Sequence, residues 1–253
     1  MDLGLQGKIA LVTGAGSQKG FGKAIALTLA REGCDIIAAD RDYEGVKLTV
    51  AEIESLGRRA LACRTDVAVG SEVSRMVAEG MAKFGRIDIL VNNAGVGSTP
   101  KPFIEKTEAE WDNDIDINLR GVLYCTKAVL AHMLERRSGK IINIASGAGL
   151  TGLAGRSIYS AAKGGVIAFT KALAKEVGGS GINVNCLTPG IAETNFAKNT
   201  SAPPEFMRKV VATIPMGRAG VPQDVANAVA YFASDVSCYV QGQTLNVNGG
   251  LSM

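Results

Sequence analysis

Thr13-Gly14-Ala15-Gly16-Ser17-Gln18-Lys19-Gly20-Phe21-Gly22 is the stretch on which the reading of this chain turns. It follows the apolar run Ile9 to Thr13 and precedes an Ala- and Leu-rich segment of helical spacing, so it lies at a strand-to-helix junction. A glycine turn that enters a helix exposes backbone N–H groups and the positive end of the helix dipole, a ready seat for a pyrophosphate. Glycine pairs occur in many tight turns, and it is the junction that gives this one its meaning.

Outward from that loop, further short apolar runs recur: Asp35 to Ala39, Ala60 to Cys63, Ile87 to Asn92, Lys140 to Ser146, Ile182 to Leu187 and Thr244 to Val247. Each is too short for a helix, and longer stretches of helical spacing separate them. Gly33, Gly57, Gly85, Gly139 and Gly181 stand just before the next run, where a left-handed helix C-cap favours glycine. Thr107 with Glu110 forms a capping box, and Pro222 suits a first helical turn. Apolar strands alternating with helices predict a doubly wound α/β fold, a mostly parallel sheet of about seven strands with helices on both faces. The alternation runs from residue 8 to the end without linker or repeat, so residues 1–253 are expected to form one domain. The one irregular stretch, about Ile191 to Met216, is expected to be a lid near the sixth strand.

Composition narrows the function classes. The formal net charge of +3 is spread along the chain, with no like-charge block longer than a dipeptide such as Arg58-Arg59, so neither nucleic acid nor membrane is expected as a partner. Cys34, Cys63, Cys125, Cys186 and Cys238 lie far apart and form no C-x-x-C pair, which argues against a disulfide framework or a zinc site. His132 is the only histidine, excluding a Ser-His-Asp hydrolase. Asp112, Asp114 and Asp116 mimic the start of a calcium loop, but Ile117 stands where that loop needs glycine; they read as the solvated face of a helix, and no metal is expected. Met1 to Ile9 carries Asp2 and lacks an apolar core of signal-peptide length, so a cytoplasmic protein is expected.

Asp40 ends the second run, where a carboxylate can accept hydrogen bonds from both adenosine ribose hydroxyls and would repel a 2′-phosphate. NAD is therefore favoured over NADP, although Arg41 and Lys19 stand nearby, each able to pair with a phosphate or to remain a solvated charge. Further along, Ser157 to Gly164 reads Ser-Ile-Tyr-Ser-Ala-Ala-Lys-Gly, which puts Tyr159 and Lys163 one turn apart on one helix face. A phenol titrates near ~10 and must be brought down by roughly 2 to 3 pH units to act as a base near neutrality. A neighbouring ammonium, with the positive ring of an oxidised nicotinamide, can supply that. Ser146, Asn92-Asn93-Ala94-Gly95, Pro189-Gly190 and Asp66 follow or close other strands, so polar and glycine residues converge on one rim of the sheet.

Together, T-G-(x)n-G-F-G, Asp66, N-N-A-G, Asn118, Ser146, Y-S-A-A-K, P-G with Thr194 beyond it, and the Gly242 to Gly250 segment resemble the short-chain dehydrogenase/reductase family over essentially the whole chain. The resemblance implies a single-domain Rossmann-type fold with Asn118, Ser146, Tyr159 and Lys163 as the catalytic set. It further implies that Gly14, Gly20, Phe21 and Gly22 shape the pyrophosphate loop, that Asp40 and Arg41 lie at the adenosine ribose, and that Asp66 and Val67 meet the adenine. Asn93, Ala94, Gly95, Pro189 and Gly190 would border the cofactor, Asn92 would mainly stabilise the sheet, and Ile191 and Thr194 would fix the carboxamide. Ser146 would orient the substrate oxygen, Tyr159 exchange the proton, Lys163 lower the tyrosine pKa, and Asn118 anchor a water that relays the proton. Family members of this length commonly form dimers or tetramers. One departure stands out: five residues, Ala15 to Lys19, separate the first two glycines of the family's pattern, where three are usual.

The implied activity is reversible hydride transfer between NAD and a secondary alcohol, with a small-molecule substrate held by Val96 to Pro102, Gly147 to Tyr159 and the lid. Lys101, Arg156 and Lys198 lie on or beside these segments and suggest an anionic substrate such as a carboxylate or a coenzyme A thioester. An NADPH-dependent 3-oxoacyl-thioester reductase would share the whole site but is disfavoured by Asp40. A catalytically silent binding subunit is disfavoured by the complete catalytic set.

Overall fold

In a computed structural model, residues 2–97, 99–194 and 204–252 are described. The apolar runs become strands β1 (Ile9–Thr13), β2 (Asp35–Asp40), β3 (Ala60–Arg64), β4 (Ile89–Asn92), β5 (Gly139–Ile144), β6 (Ile182–Pro189) and β7 (Thr244–Val247). They form one sheet in the order β3-β2-β1-β4-β5-β6-β7, and every pairing among them is parallel. The helices between them are α1 (Phe21–Arg31), α2 (Tyr43–Ser55), α3 (Gly70–Phe84), α4 (Glu108–Ile115), α5 (Gly121–Arg136), α6 (Ala148–Thr151), α7 (Ser157–Val177), α8 (Pro204–Ala212) and α9 (Pro222–Ala233).

Side chains alternate across a strand, and here both faces are apolar. Ala10 and Val12 of β1 join a core with α1, α2 and α9, whereas Ile9 and Leu11 join the opposite core with α3, α5 and α7. Both caps expected from sequence are present: the Thr107 and Glu110 box starts α4, and Pro222 opens α9. Gly33, Gly57, Gly85 and Gly181 all adopt positive φ. Gly139 does not. The left-handed residue after α5 is Arg137, at φ 50°, while Gly139 lies inside β5, where a Cβ would come within 2.5 Å of Met133 Sδ. That glycine serves close packing of helix on strand. Asp114 also departs from expectation: Asp112 is exposed and Asp116 pairs with Arg120, but Asp114 is buried. Of the expected lid, about Ile191 to Met216, residues 195–203 lie outside the described residues. No helix among the described residues is long and apolar enough to cross a membrane.

The strand expected to begin at Ile87 begins at Ile89, and just before it the buried Asp88 accepts hydrogen bonds from Ile9 N (2.8 Å), Arg86 Nε (2.9 Å) and Arg136 Nη2 (2.8 Å). Burial opposes its charge, but the Ile9 amide and the two guanidiniums outweigh it and hold the carboxyl below its usual range. Such a carboxylate contributes stability that is complete above the ordinary aspartate pKa and is lost as pH falls through the depressed value. Asp88→Asn is expected to cost about 2 kcal/mol at pH 7, less than the roughly 3 to 5 kcal/mol of a fully buried pair because both arginines are partly exposed, and to lower Tm by about 4 to 8 °C. Thermal melts should show the gap narrowing below about pH 4.

Candidate active site

Strand order reverses between β1 and β4, and in open α/β sheets ligands bind in the crevice beyond the carboxyl ends at such a point. Two loops meet there. Gly14 leaves β1 at φ 71°, and a Cβ on it would sit 2.8 Å from Ala94 Cα, so only glycine allows the loops to touch. Asn93 Nδ2 donates to Thr13 O at 2.8 Å and to Gly14 O at 3.2 Å, while Thr13 Oγ1 accepts from the amides of Asn93 and Ala94, both at 3.1 Å. A side chain on Gly22 would overlap the Gly14 carbonyl, so α1 starts hard against the turn. The cradle is locked before any phosphate arrives.

The extra loop residues have a definite place. Gln18 Nε2 donates to Gly16 O at 2.9 Å and, across to α2, to Gly45 O at 2.8 Å; Thr49 Oγ1 donates to Ala15 O at 2.8 Å. This brace leaves the Gly16 amide donating to Asp40 Oδ2 at 2.9 Å, and the Asp42 amide donates to Asp40 Oδ1 at 3.1 Å. The Asp40 carboxylate is thereby fixed at the end of β2. Lys19 is exposed on the loop, away from the cleft.

One cavity of about 850 Å³ runs from Asp40, Arg41, Asp66 and Val67 past Gly14, Gly20, Phe21 and Asn93 to Gly95, and on to Ser146, Tyr159, Lys163 and Pro189 to Thr194. Of the residues singled out from sequence for catalysis or cofactor binding, Gly22 and Asn118 do not line it. Gly22 acts by packing, and Asn118 stands behind the wall. Asn118 sits in a π-helical turn, Asp116–Arg120, between α4 and α5. Extra turns of this kind recur at functional sites because they re-aim one side chain. Asn118 Oδ1 accepts from Val96 N and its Nδ2 donates to Val96 O, both at 3.1 Å, so it clamps the loop after β4. A Cβ on Gly95 would meet Asn118 Oδ1 at 2.9 Å and Lys163 Nζ at 3.4 Å, which keeps that loop thin where the three converge.

Tyr159 and Lys163 share the buried face of α7, as their spacing predicted. Lys163 Nζ donates to Ile144 O at 2.9 Å, and burial brings its pKa down to about 8. The Tyr159 hydroxyl hydrogen-bonds with Ser146, just past the end of β5. Burial pushes the Tyr159 phenol up; the Ser146 hydrogen bond and the Arg156 charge pull it down only in part, and Asp114 adds to the rise. Lys163 is not among the groups that pull the phenol down here, whereas the expected depression was assigned to Lys163 together with the charge of an oxidised nicotinamide. The low-dielectric setting outweighs the charges facing the phenol.

A family model described as enoyl-(acyl carrier protein) reductase matches residues 14–252. Subunit BbsD of the (2S)-((R)-hydroxy(phenyl)methyl)succinyl-CoA dehydrogenase of Thauera aromatica is 42% identical over 251 residues, 99% of each chain. The chain belongs to the short-chain dehydrogenase/reductase family. A 3-oxoacyl-(acyl-carrier-protein) reductase of Synechocystis is likewise 42% identical over 251 residues, 98% of each chain. The crystal structure of a 3-ketoacyl-(acyl-carrier-protein) reductase of Brucella melitensis complexed with NADH superposes with a TM-score of 0.91 at 35% identity, covering 98% of this chain and all of that one.

As a short-chain dehydrogenase/reductase, the protein is an oxidoreductase acting on CH–OH donors and binding a nicotinamide dinucleotide. The glycine cradle, the fixed Asp40 and the unbroken cavity from Asp66 to Tyr159 fit such a group in size and polarity. Asn92 is structural, as expected: its Nδ2 donates to Asn143 Oδ1 (2.8 Å) and Thr126 Oγ1 (3.1 Å), and Asn143 Nδ2 donates to Thr170 Oγ1 (2.9 Å). This buried chain ties β4 and β5 to α5 and α7, so the helix bearing Tyr159 is registered on the sheet. Sequence reasoning missed Leu251 and Ser252, which line the cavity from beyond β7. Nothing local marks them, since only the folding of the C-terminal turn over the cleft brings them there.

Proposed function

We propose that the chain catalyses reversible hydride transfer between NAD and a secondary alcohol or its ketone, with Tyr159 as the acid/base. The observation that carries this reading is that the hydrogen-bonded Tyr159 and Ser146 pair and the buried Lys163 end the same cavity whose other end holds Asp40. A bound nicotinamide would supply the hydride acceptor or donor. In oxidation, Ser146 holds the substrate oxygen while the Tyr159 phenolate takes the hydroxyl proton; in reduction, the phenol returns it. Lys163 places positive charge beside the phenolate and is itself held by the Ile144 carbonyl. Asn118 keeps Val96, and with it the floor of the site, in place. Gly14, Gly20 and Phe21 would receive the pyrophosphate, Asp66 and Val67 the adenine, and Ile191 and Thr194 the carboxamide.

NADH absorbance, followed with ethyl acetoacetate and a panel of secondary alcohols and hydroxyacyl thioesters, tests the reading. Turnover is expected on at least one class, and none on any of them would overturn it.

The NAD preference rests on Asp40. With both carboxylate oxygens held by the Gly16 and Asp42 amides, the side chain cannot swing aside for a 2′-phosphate. The expected kcat/KM ratio of NAD to NADP is on the order of 100, and Asp40→Ala should reduce it at least about tenfold. Arg41, Arg64 and Arg75, which border a second hollow of about 430 Å³ with Asp66 and Glu72, favour the rival NADPH-dependent 3-oxoacyl-thioester reductase. Initial rates with the two cofactors separate the readings, and a preference for NADP sinks the argument from Asp40. The family resemblance extends the proposal to a dimer or tetramer, which light scattering on the purified chain would report.

A further inference from the structure

We propose that Arg156 receives a carboxylate of the substrate and so makes the enzyme selective for hydroxy and oxo acids over neutral alcohols; this rests on the oxidoreductase reading above. Arg156 lines the cavity one turn before Tyr159, at the start of α7, so the two side chains look onto the same space. Its Nε is buried without a hydrogen-bond partner, and its guanidinium has no ion pair among the described residues. The other cations suggested for this role are spent or beyond view: Lys101 Nζ lies 3.3 Å from Glu110 Oε2, and Lys198 lies outside the described residues.

Of the described residues lining the substrate end, Arg156 and Lys163 are the charged ones, among apolar walls that include Leu153, Ala154, Val210 and Leu251. Lys163 is committed to the Ile144 carbonyl. Asp114, the other charge acting on Tyr159, lies on α4 and is not part of the cavity wall. A planar fork of donors left unpaired in apolar surroundings is matched by a carboxylate, which accepts two of its N–H bonds at once. The substrate implied is an acid whose reacting hydroxyl or ketone lies close enough to its carboxylate for one molecule to reach both Tyr159 and Arg156.

Two measurements test this. The ratio of kcat/KM for NADH-dependent reduction of acetoacetate to that of ethyl acetoacetate is expected to fall about 10- to 100-fold in Arg156→Gln and to recover in part in Arg156→Lys. An unchanged ratio overturns the proposal. Separately, glutarate titrated onto the NADH complex, read by NADH fluorescence, is expected to bind the wild type at least about tenfold more tightly than Arg156→Gln. It should also bind the wild type more tightly than dimethyl glutarate does. Equal affinities of the wild type for the diacid and its ester overturn the proposal without recourse to any variant. If no compound of the wider panel is turned over while the glutarate difference persists, the anion site stands and the proposed hydride-transfer reading falls.

Discussion

Phenylalanine in place of Tyr159 is expected to lower kcat for alcohol oxidation by about a thousandfold or more, the upper part of the range for a removed acid/base group, while NADH affinity changes by no more than about threefold. The ring is buried and keeps its packing in the variant, so the fold should survive the loss of one hydroxyl. What disappears is the proton acceptor, and the Ser146 hydroxyl left behind cannot replace it. Because burial raises the Tyr159 phenol, wild-type oxidation should gain rate with rising pH as the phenol ionises, and reduction should lose it. The residual oxidation by the Phe variant should be flat over that limb. Steady-state rates across pH, paired with NADH fluorescence titration, check both parts; a Phe variant with undiminished turnover would remove Tyr159 from the mechanism.

Much of this architecture was legible because it is written locally. The bounds of β1 and β7, the Thr107 and Glu110 cap, and the one-turn spacing of Tyr159 and Lys163 depend on neighbours within a few residues. What escaped depends on segments that meet only in the folded chain. Gln18 reads as a loop residue until α2 is beside it, and only then does the longer loop explain why Asp40 is fixed. Asp114 reads as solvated because its aspartate neighbours are; the packing of α4 against α7 buries it. The π turn at Asn118 has no composition of its own. The burial that raises the Tyr159 phenol escaped for the same reason, since a charge partner can be guessed from spacing but the depth of burial cannot.

Lys163→Met should separate activity from stability in opposite directions. The ammonium is buried, and its pKa of about 8, against 10.5 for a free lysine, means that below pH 8 the folded chain carries a charge it would rather lose. That difference corresponds to a cost on the order of 3 kcal/mol at neutral pH. Removing the hydrogen bond to Ile144 O returns about 1 kcal/mol of it, so methionine, of similar length and no charge, should stabilise the fold by about 2 kcal/mol at pH 7. The sign with pH follows. Between pH 8 and 10.5 the unfolded chain binds the proton that the folded one has released, wild-type stability rises through that window relative to the variant, and the gap closes as pH approaches 10. Turnover moves the other way: without the cation the phenolate is harder to form, so kcat for oxidation should fall about 100-fold or more and its pH limb should shift upward by at least about 1 pH unit. Melts at pH 7 and 9.5 together with pH–rate profiles test the pair. A variant that melts lower at pH 7 would mean that Lys163 holds the site together rather than straining it for catalysis.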